Sequence, residues 1–415
     1  MPGDVDRQRL SAYVQVVTLA LAASVIYLAP YLRQVFKTSL LETFELSEAQ
    51  LGNLSSTYAI CSILCYLPGG WLADRVAPRI LVIIALFSSA ATYAWYATIP
   101  GYGSLLVIYG LWGVIGVGIL WAAMFKHIRL IAGGDEQGRL FGTLEGARGL
   151  FEAMIISVGA FVFSMFAVRQ LGMVSVIVIL AVLATLLGVL MLFMKSATGR
   201  QDAEPGDRIH LADVVLILKQ PTIWLLCVIL TAVYHLFWGT IEFPSFAETG
   251  GFGMPLAAAT TLGAVKLWMR PFGGVLGGML GDRITNVRLM MWLFIAGIAC
   301  CLYLALVDAR PGLAWTLWLF IVPFGLVVYA ARGIFWALLY DCPVPARALG
   351  TAIGFVSIMG YSSDAYIPQV SAWLHGAFDT GTAYQLFFAY VAAAAAVGFV
   401  AAWLLGRLTR RSAAV

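Results

Sequence analysis

The stretch GGWLADR at Gly69–Arg75 returns as GGMLGDR at Gly277–Arg283, with its two aspartates, Asp74 and Asp282, 208 positions apart. A second pair, GRLFGT at Gly138–Thr143 and ARALGT at Ala346–Thr351, repeats at the same spacing. Two matches at one offset indicate an internal duplication. Between the copies runs the longest hydrophilic stretch, KSATGRQDAEPGDRIHLADVVLILKQ at Lys195–Gln220, which is polar and broken by Pro205 and two glycines. Such composition marks a connection rather than an element. The chain is therefore expected to divide into an N-terminal half, 1–194, a central loop, 195–220, and a C-terminal half, 221–415.

Each half is too apolar to be soluble. Of the 415 residues, 61% are hydrophobic and 11% charged, and the mean hydropathy is +0.91; a soluble domain is about a quarter charged. An apolar stretch of about 18 residues or more is a candidate span. Twelve stretches qualify: roughly 11–32, 51–72, 80–99, 104–129, 140–166, 171–194, 221–242, 257–280, 289–307, 313–339, 349–372 and 383–406. All should be helices, because an isolated strand leaves its backbone unpaired in lipid. The expected fold is an all-α membrane protein of two pseudo-symmetric six-helix bundles. Numbering alternate loops from the N-terminus puts fifteen Lys and Arg residues on one side and four, Arg33, Lys37, Arg169 and Arg310, on the other. The positive-inside rule then places both termini in the cytoplasm, in a multi-pass inner-membrane protein. MPGDVDRQRL leads into a span without a small-residue cleavage site, so no cleaved leader is expected.

The repeated loop resembles the conserved loop motif of the major facilitator superfamily: a glycine, a small or apolar pair, Asp-Arg and a later basic residue. The first copy carries it on Gly70, Leu72, Ala73, Asp74, Arg75 and Arg79, the second on Gly278, Leu280, Gly281, Asp282, Arg283 and Arg288. The resemblance implies secondary transport by alternating access of two bundles, with these loops as a cytoplasmic gate. Asp74 ends its helix where the dipole disfavours a negative charge, so Arg75, Arg79 or another helix N-terminus should compensate it. The chain departs from the family in its fourth helix, where Trp112 stands at the arginine position. Its fifth helix also lacks the Gly-Pro motif of drug/proton antiporters. Neither sugar-porter nor monocarboxylate-carrier signatures are present, and the substrate stays open.

Ionisable residues within spans are expensive and mark function. Six basic residues lie in or at the ends of spans: Lys126, Arg129, Arg148, Lys266, Arg270 and Arg332. On helix five, Glu145, Arg148 and Glu152 share one face at spacings of three and four; they form either a self-neutralising ladder or a proton-coupling and bridging group. Lys266 and Arg270 share a face of helix eight that offers no acid near them. Lys266 lies about 21 Å from the cytoplasmic end of its span, near the midplane. The resemblance puts helix eight beside helix five, which makes Glu145 and Glu152 candidate partners. Arg332 suits a carboxylate or phosphate or caps a gate. Lys126 and Arg129 are expected to snorkel. Glu242 and Asp364 are candidate proton carriers or buried hydrogen-bonding acids.

His235 and Tyr27 occupy equivalent mid-span positions of the two halves. With Tyr31, Trp238, Tyr329 and Tyr361 they are expected either to line a substrate site or simply to pack. The six cysteines form no CxxC pair and the four histidines are scattered, so neither a metal site nor a cofactor is expected. No nucleophile–base set marks an enzyme. The glycines of GVIGVGIL and GGVLGGMLG follow no strand and lack a P-loop lysine, which points to close helix packing. The favoured function is transport of a small organic anion such as a carboxylate with proton coupling, by a monomer with no nucleic-acid partner. Efflux of an amphiphilic or cationic compound and a non-transporting sensor on the same fold are the alternatives.

Overall fold

The computed structural model describes residues 2–131, 137–193, 217–340, 342 and 349–412. Among the described residues every regular element is a helix. The chain separates into two compact units, Met1–Ala203 and Glu204–Val415.

In the first unit, α1 (Pro2–Leu28) runs through a 3-10 turn (Ala29–Tyr31) into α2 (Arg33–Thr43). Then come α3 (Glu48–Arg75), α4 (Pro78–Ala97) and α5 (Tyr102–Gly113). A π segment (Val114–Trp121) leads into α6 (Ala122–Ile131), followed by α7 (Gln137–Ser164) and α8 (Arg169–Phe193). The second unit holds α9 (Pro221–Thr249), α10 (Leu256–Ile284), α11 (Asn286–Leu306), α12 (Ala314–Tyr340), α13 (Leu349–Tyr361), α14 (Ser363–Ala377) and α15 (Thr380–Ser412). Local sequence explains the starts. Ser47 and Gln50 close a reciprocal capping box on α3, and Pro78 and Pro221 occupy the first turns of α4 and α9, where a missing N–H costs nothing.

Among the described residues, nine helical stretches are long and apolar enough to cross a membrane. The other three expected spans are helical too. α3 and α10 have the length, at 28 and 29 residues, but not the apolarity. The span expected at 349–372 is two shorter helices. Its break falls at Ser362, where the Ser362 and Ser363 hydroxyls donate to the carbonyls of Met359 and Gly360. Serine competes in this way for helical carbonyls and bends the chain.

Glycine sets the tightest crossings. A methyl group on Gly69 would lie 2.8 Å from the Gly118 carbonyl oxygen, and one on Gly277 2.9 Å from that of Ala330. α3 thus packs backbone to backbone on the π segment, and α10 on α12. Gly70 and Gly278, the expected gate glycines, face open space. Trp112, at the family's arginine position, donates its indole N–H to Thr92 at 3.0 Å and packs on Tyr93, Tyr96 and Tyr109. An aromatic cluster occupies that place.

The expected central loop, 195–220, lies outside the described residues up to Leu216, and so do the side chains of Asp74, Asp282, Arg129 and Arg139.

Candidate functional site: a cation and aromatic cluster in the second unit

Lys266 has 0% of its surface exposed. Its Nζ lies 5.7 Å from the centre of the Phe237 ring, and the Arg332 guanidinium lies 4.6 Å from the same ring. Arg332 also stands 5.2 Å from the Tyr234 ring and donates a hydrogen bond of 3.3 Å to the Tyr234 hydroxyl. Arg270 follows one turn after Lys266 on α10. Tyr361 packs on Tyr234 at 5.0 Å. Two cations, from α10 and α12, thus meet aromatics of α9, which pack in turn on Tyr361 of α13. A ring face attracts a cation electrostatically, and more strongly when both are desolvated.

The helices reach this arrangement through small residues. A methyl on Gly273 would stand 2.8 Å from Cβ of Tyr329, and one on Gly325 would meet the Met269 side chain and the Lys266 carbonyl. These glycines let α10 and α12 approach closely enough to bring Lys266, Tyr329 and Arg332 into one cluster.

The other expected site residues of this unit are hydrogen-bonded within it. His235 Nδ1 donates to the Thr231 carbonyl at 2.7 Å, and Nε2 accepts from the Tyr390 hydroxyl at 2.7 Å. Both ring nitrogens are engaged, and the residue joins α9 to α15. Trp238, almost wholly buried, donates its indole N–H to Asp364 Oδ1 at 2.7 Å. Asp364 sits in the first turn of α14, where the helix dipole favours a negative charge. Glu242, fully buried, accepts from the Ser371 hydroxyl at 3.3 Å. Tyr234 and Phe237 were missed from sequence. The signal available was their spacing of three on α9, one position around the helix from His235 and Trp238.

In the first unit, Arg148 is 7% exposed and lies 5.3 Å from the Tyr27 ring and 5.9 Å from that of Trp121. It pairs with the half-exposed Glu145 at 2.6 Å and reaches the buried Glu152 at 4.0 Å. The Tyr27 hydroxyl donates to the Gly116 carbonyl at 2.6 Å, inside the π segment. A π turn shifts the backbone pairing, and such turns recur at functional sites. Tyr31 packs edge-on against Tyr58.

The cations expected to compensate Asp74, whose side chain lies outside the described residues, make other contacts among the described residues. Arg79 donates to the carbonyls of Met191 and Leu192 at the end of α8, at 3.1 and 2.6 Å. Arg75 lies on Trp71 of its own helix at 4.0 Å. The Lys126 ammonium, expected to snorkel, donates to the Ala73 carbonyl at 2.5 Å, placing a cation on the negative end of α3. In the second copy, Arg283 and Arg288 are exposed.

Two cations counted as loop residues are buried: Arg33 is 2% and Lys37 1% exposed, both on the unforeseen helix α2. Arg33 donates to Ser55 at 3.2 Å, and Lys37 pairs with Glu48 at 3.1 Å. Among the described residues, no three His, Cys, Asp or Glu side chains are grouped to hold a metal.

The sequence profile of the Major Facilitator Superfamily matches residues 15–368. The inner membrane protein YqcE of Escherichia coli (strain K12) is 26% identical over 377 residues, covering 88% of each chain. A Thermus thermophilus protein described as a probable nitrate/nitrite antiporter, NarK1, is 26% identical over 305 residues, covering 71% of this chain and 66% of its own. Among solved structures, a bacterial homologue of the human lysosomal transporter Spinster, inward-facing and unoccupied, aligns over 95% of this chain and 98% of its own. The TM-score is 0.75 at 17% identity, which speaks for the fold alone. With helical spans throughout both units and a family match over most of its length, this chain belongs to the major facilitator superfamily and is a multi-pass inner-membrane transporter.

Proposed function

We propose that the protein transports a small organic anion, such as a carboxylate, by proton-coupled alternating access, with both termini in the cytoplasm and the anion held by Lys266, Arg270 and Arg332. The observation that carries this is the burial of Lys266 and the sharing of one ring, Phe237, between Lys266 and Arg332. A cation at the centre of a membrane helix costs about 2.5–3.5 kcal/mol on insertion scales. A carboxylate entering such a low-dielectric site would be attracted strongly by each cation. The guanidinium of Arg332 offers it two parallel donors, and the aromatics accept the apolar remainder of an organic solute. That a relative is described as moving nitrate and nitrite agrees with an anionic cargo.

Proton coupling falls to a buried carboxyl, and Glu152, Glu242 and Asp364 are the candidates. Protonation would remove a charge from a hydrogen-bonded contact between helices and so shift the balance between two conformations. The test is accumulation of labelled carboxylates in proteoliposomes with and without an inwardly acidifying pH gradient, on the wild type and on Lys266→Gln. The expected result is gradient-driven uptake that Lys266→Gln abolishes while the purified variant stays folded. Uptake indifferent to the gradient would remove the coupling, and unchanged uptake by Lys266→Gln would remove the anion site.

A further inference from the structure

Among the described residues, three non-glycine residues have a positive φ: Glu45 at 50°, Ile99 at 54° and Thr285 at 75°. Thr285 is the outlier of the three. It is β-branched, and with ψ at 139° it lies far from the small left-handed region that L-residues tolerate. It is also a one-residue connection. Thr285 caps the C-terminus of α10 and the N-terminus of α11 at once.

The backbone on both sides pins it there. Its N–H donates to the Gly281 carbonyl at 3.0 Å, closing the last turn of α10, and its own carbonyl accepts from the Leu289 N–H at 3.0 Å, opening α11. The turn is so tight that a methyl on Gly281 would run into the side-chain oxygen of Asn286. The threonine hydroxyl makes no capping bond in return. The first copy of this loop is relaxed by comparison: Val76 and Ala77 have φ of −112° and −58°, and Pro78 starts the next helix. Two homologous loops thus differ in stored strain. A residue held in so sparsely populated a region carries strain that would shift an equilibrium roughly fivefold to a hundredfold if it were released.

We propose that Thr285 is a strained hinge that makes this arrangement of α10 and α11 metastable, so that opening of the second loop copy relieves the strain and biases the conformational equilibrium of the transporter. The proposal rests on the reading of that loop as part of a cytoplasmic gate and is independent of the cargo. Sites that bind or release a solute need two arrangements of comparable energy, and a fixed local strain is one way to bring them level.

The full-length protein without substrate tests it, using two native-state readouts. Melting temperature is the wrong measure, because glycine also loosens the unfolded chain. The first readout is amide hydrogen exchange of a peptide spanning residues 278–290. The second is maleimide labelling of Cys342, a buried free thiol of the same unit, followed by mass spectrometry. Thr285→Gly removes the strain, whereas Thr285→Ala keeps a Cβ at positive φ. The expected result is exchange and Cys342 labelling both slowed by about fivefold or more in Thr285→Gly, and neither slowed to that extent in Thr285→Ala. Slower exchange with unchanged labelling would show that the strain is local and biases nothing, which overturns the proposal. Unchanged exchange in Thr285→Gly would show that there is no strain to release, which overturns it as well. Neither outcome bears on whether the cargo is an anion.

Discussion

Each unit boxes a guanidinium between aromatic rings, but the two boxes are built from different helices and balanced differently. In the first unit Arg148 of α7 lies by Tyr27 and Trp121, with both acids three and four residues away on its own helix. In the second unit Arg332 of α12 lies by Tyr234 and Phe237, joined by Lys266 of α10. The duplication pairs Tyr27 with His235 and Trp121 with Tyr329, yet it pairs Arg332 with Met124 and Arg148 with Val356. Aromatic bulk and the glycine crossings recur between the halves, whereas the charges do not. Packing is a requirement of each six-helix unit separately, so both copies keep it. On the proposed function, a single anionic cargo needs its counter-charges only once, which would leave the other unit free to neutralise its own cation.

The sharpest way to break this comparison is to remove one charge from each side. Arg332→Gln should lose substrate affinity by about 2–5 kcal/mol, the usual cost of truncating one partner of a buried charged pair, while the folded protein keeps its melting temperature. Arg148→Met should instead cost about 3 kcal/mol of stability, because it leaves Glu152 buried without its cation, and Glu152→Met in the same chain should restore most of it. Ligand binding by isothermal calorimetry and unfolding in detergent separate the two. A loss of anion binding in Arg148→Met with stability intact would overturn the division of labour.

A smaller effect tests what the halves share. Gly69→Ala and Gly277→Ala each force a methyl against backbone oxygen and should cost about 1–3 kcal/mol of stability. Gly70→Ala and Gly278→Ala point into open space and should stay within about 0.5 kcal/mol. Equal losses at all four positions, measured by thermal unfolding, would mean that the crossing does not depend on the close approach.

Next in size is His235. Replacing it with Phe removes the bond to Tyr390 and should cost about 1 kcal/mol of stability without changing substrate affinity, whereas Phe237→Ala should change affinity. A weaker Kd in His235→Phe would return the histidine to the binding site.

The smallest effect concerns acid. Asp379 caps α15 by accepting the Thr382 N–H at 3.0 Å, and that bond holds its carboxyl below the usual carboxylate range. A depressed value means that the cap is fully present above the ordinary aspartate value, near 4, and is lost as pH falls through the depressed one. Asp379→Ala should therefore lower the melting temperature slightly at pH 7 and by a shrinking margin as the medium is acidified below pH 4. A margin that grows with acid would contradict the assignment.

Much of this was legible before any coordinates. The apolar stretches gave the spans, and the two glycine–aspartate loops gave the duplication, because both patterns are periodic along the chain. The short helix α2 was not legible. Arg33 and Lys37 look like loop cations, and only Ser55 and Glu48, distant in sequence, explain their burial. The break at Ser362 was hidden inside an apolar run long enough for one span. Within the site, Lys266, Arg270 and Arg332 stood out because charge in an apolar segment is rare, but the aromatic face beside them did not. Tyr234 and His235 are adjacent in sequence and about 100° apart on the helix, so composition alone cannot say which of them faces α12.

The sequence by itself determined that the chain spans a membrane, that it is a duplicated helical transporter of this superfamily, and which charges lie within its spans. Those follow from hydropathy, spacing and motif, which are local properties of the chain. Only the tertiary structure decided which rings meet which cations, that His235 and Trp238 bond to Tyr390 and Asp364 of their own unit, that Gly69 and Gly277 rather than their neighbours set the crossings, and that one of two homologous loops is strained at Thr285. Each of these depends on the rotation of one helix against another, and that rotation is fixed by side-chain contacts up to 155 residues apart and invisible to any local pattern.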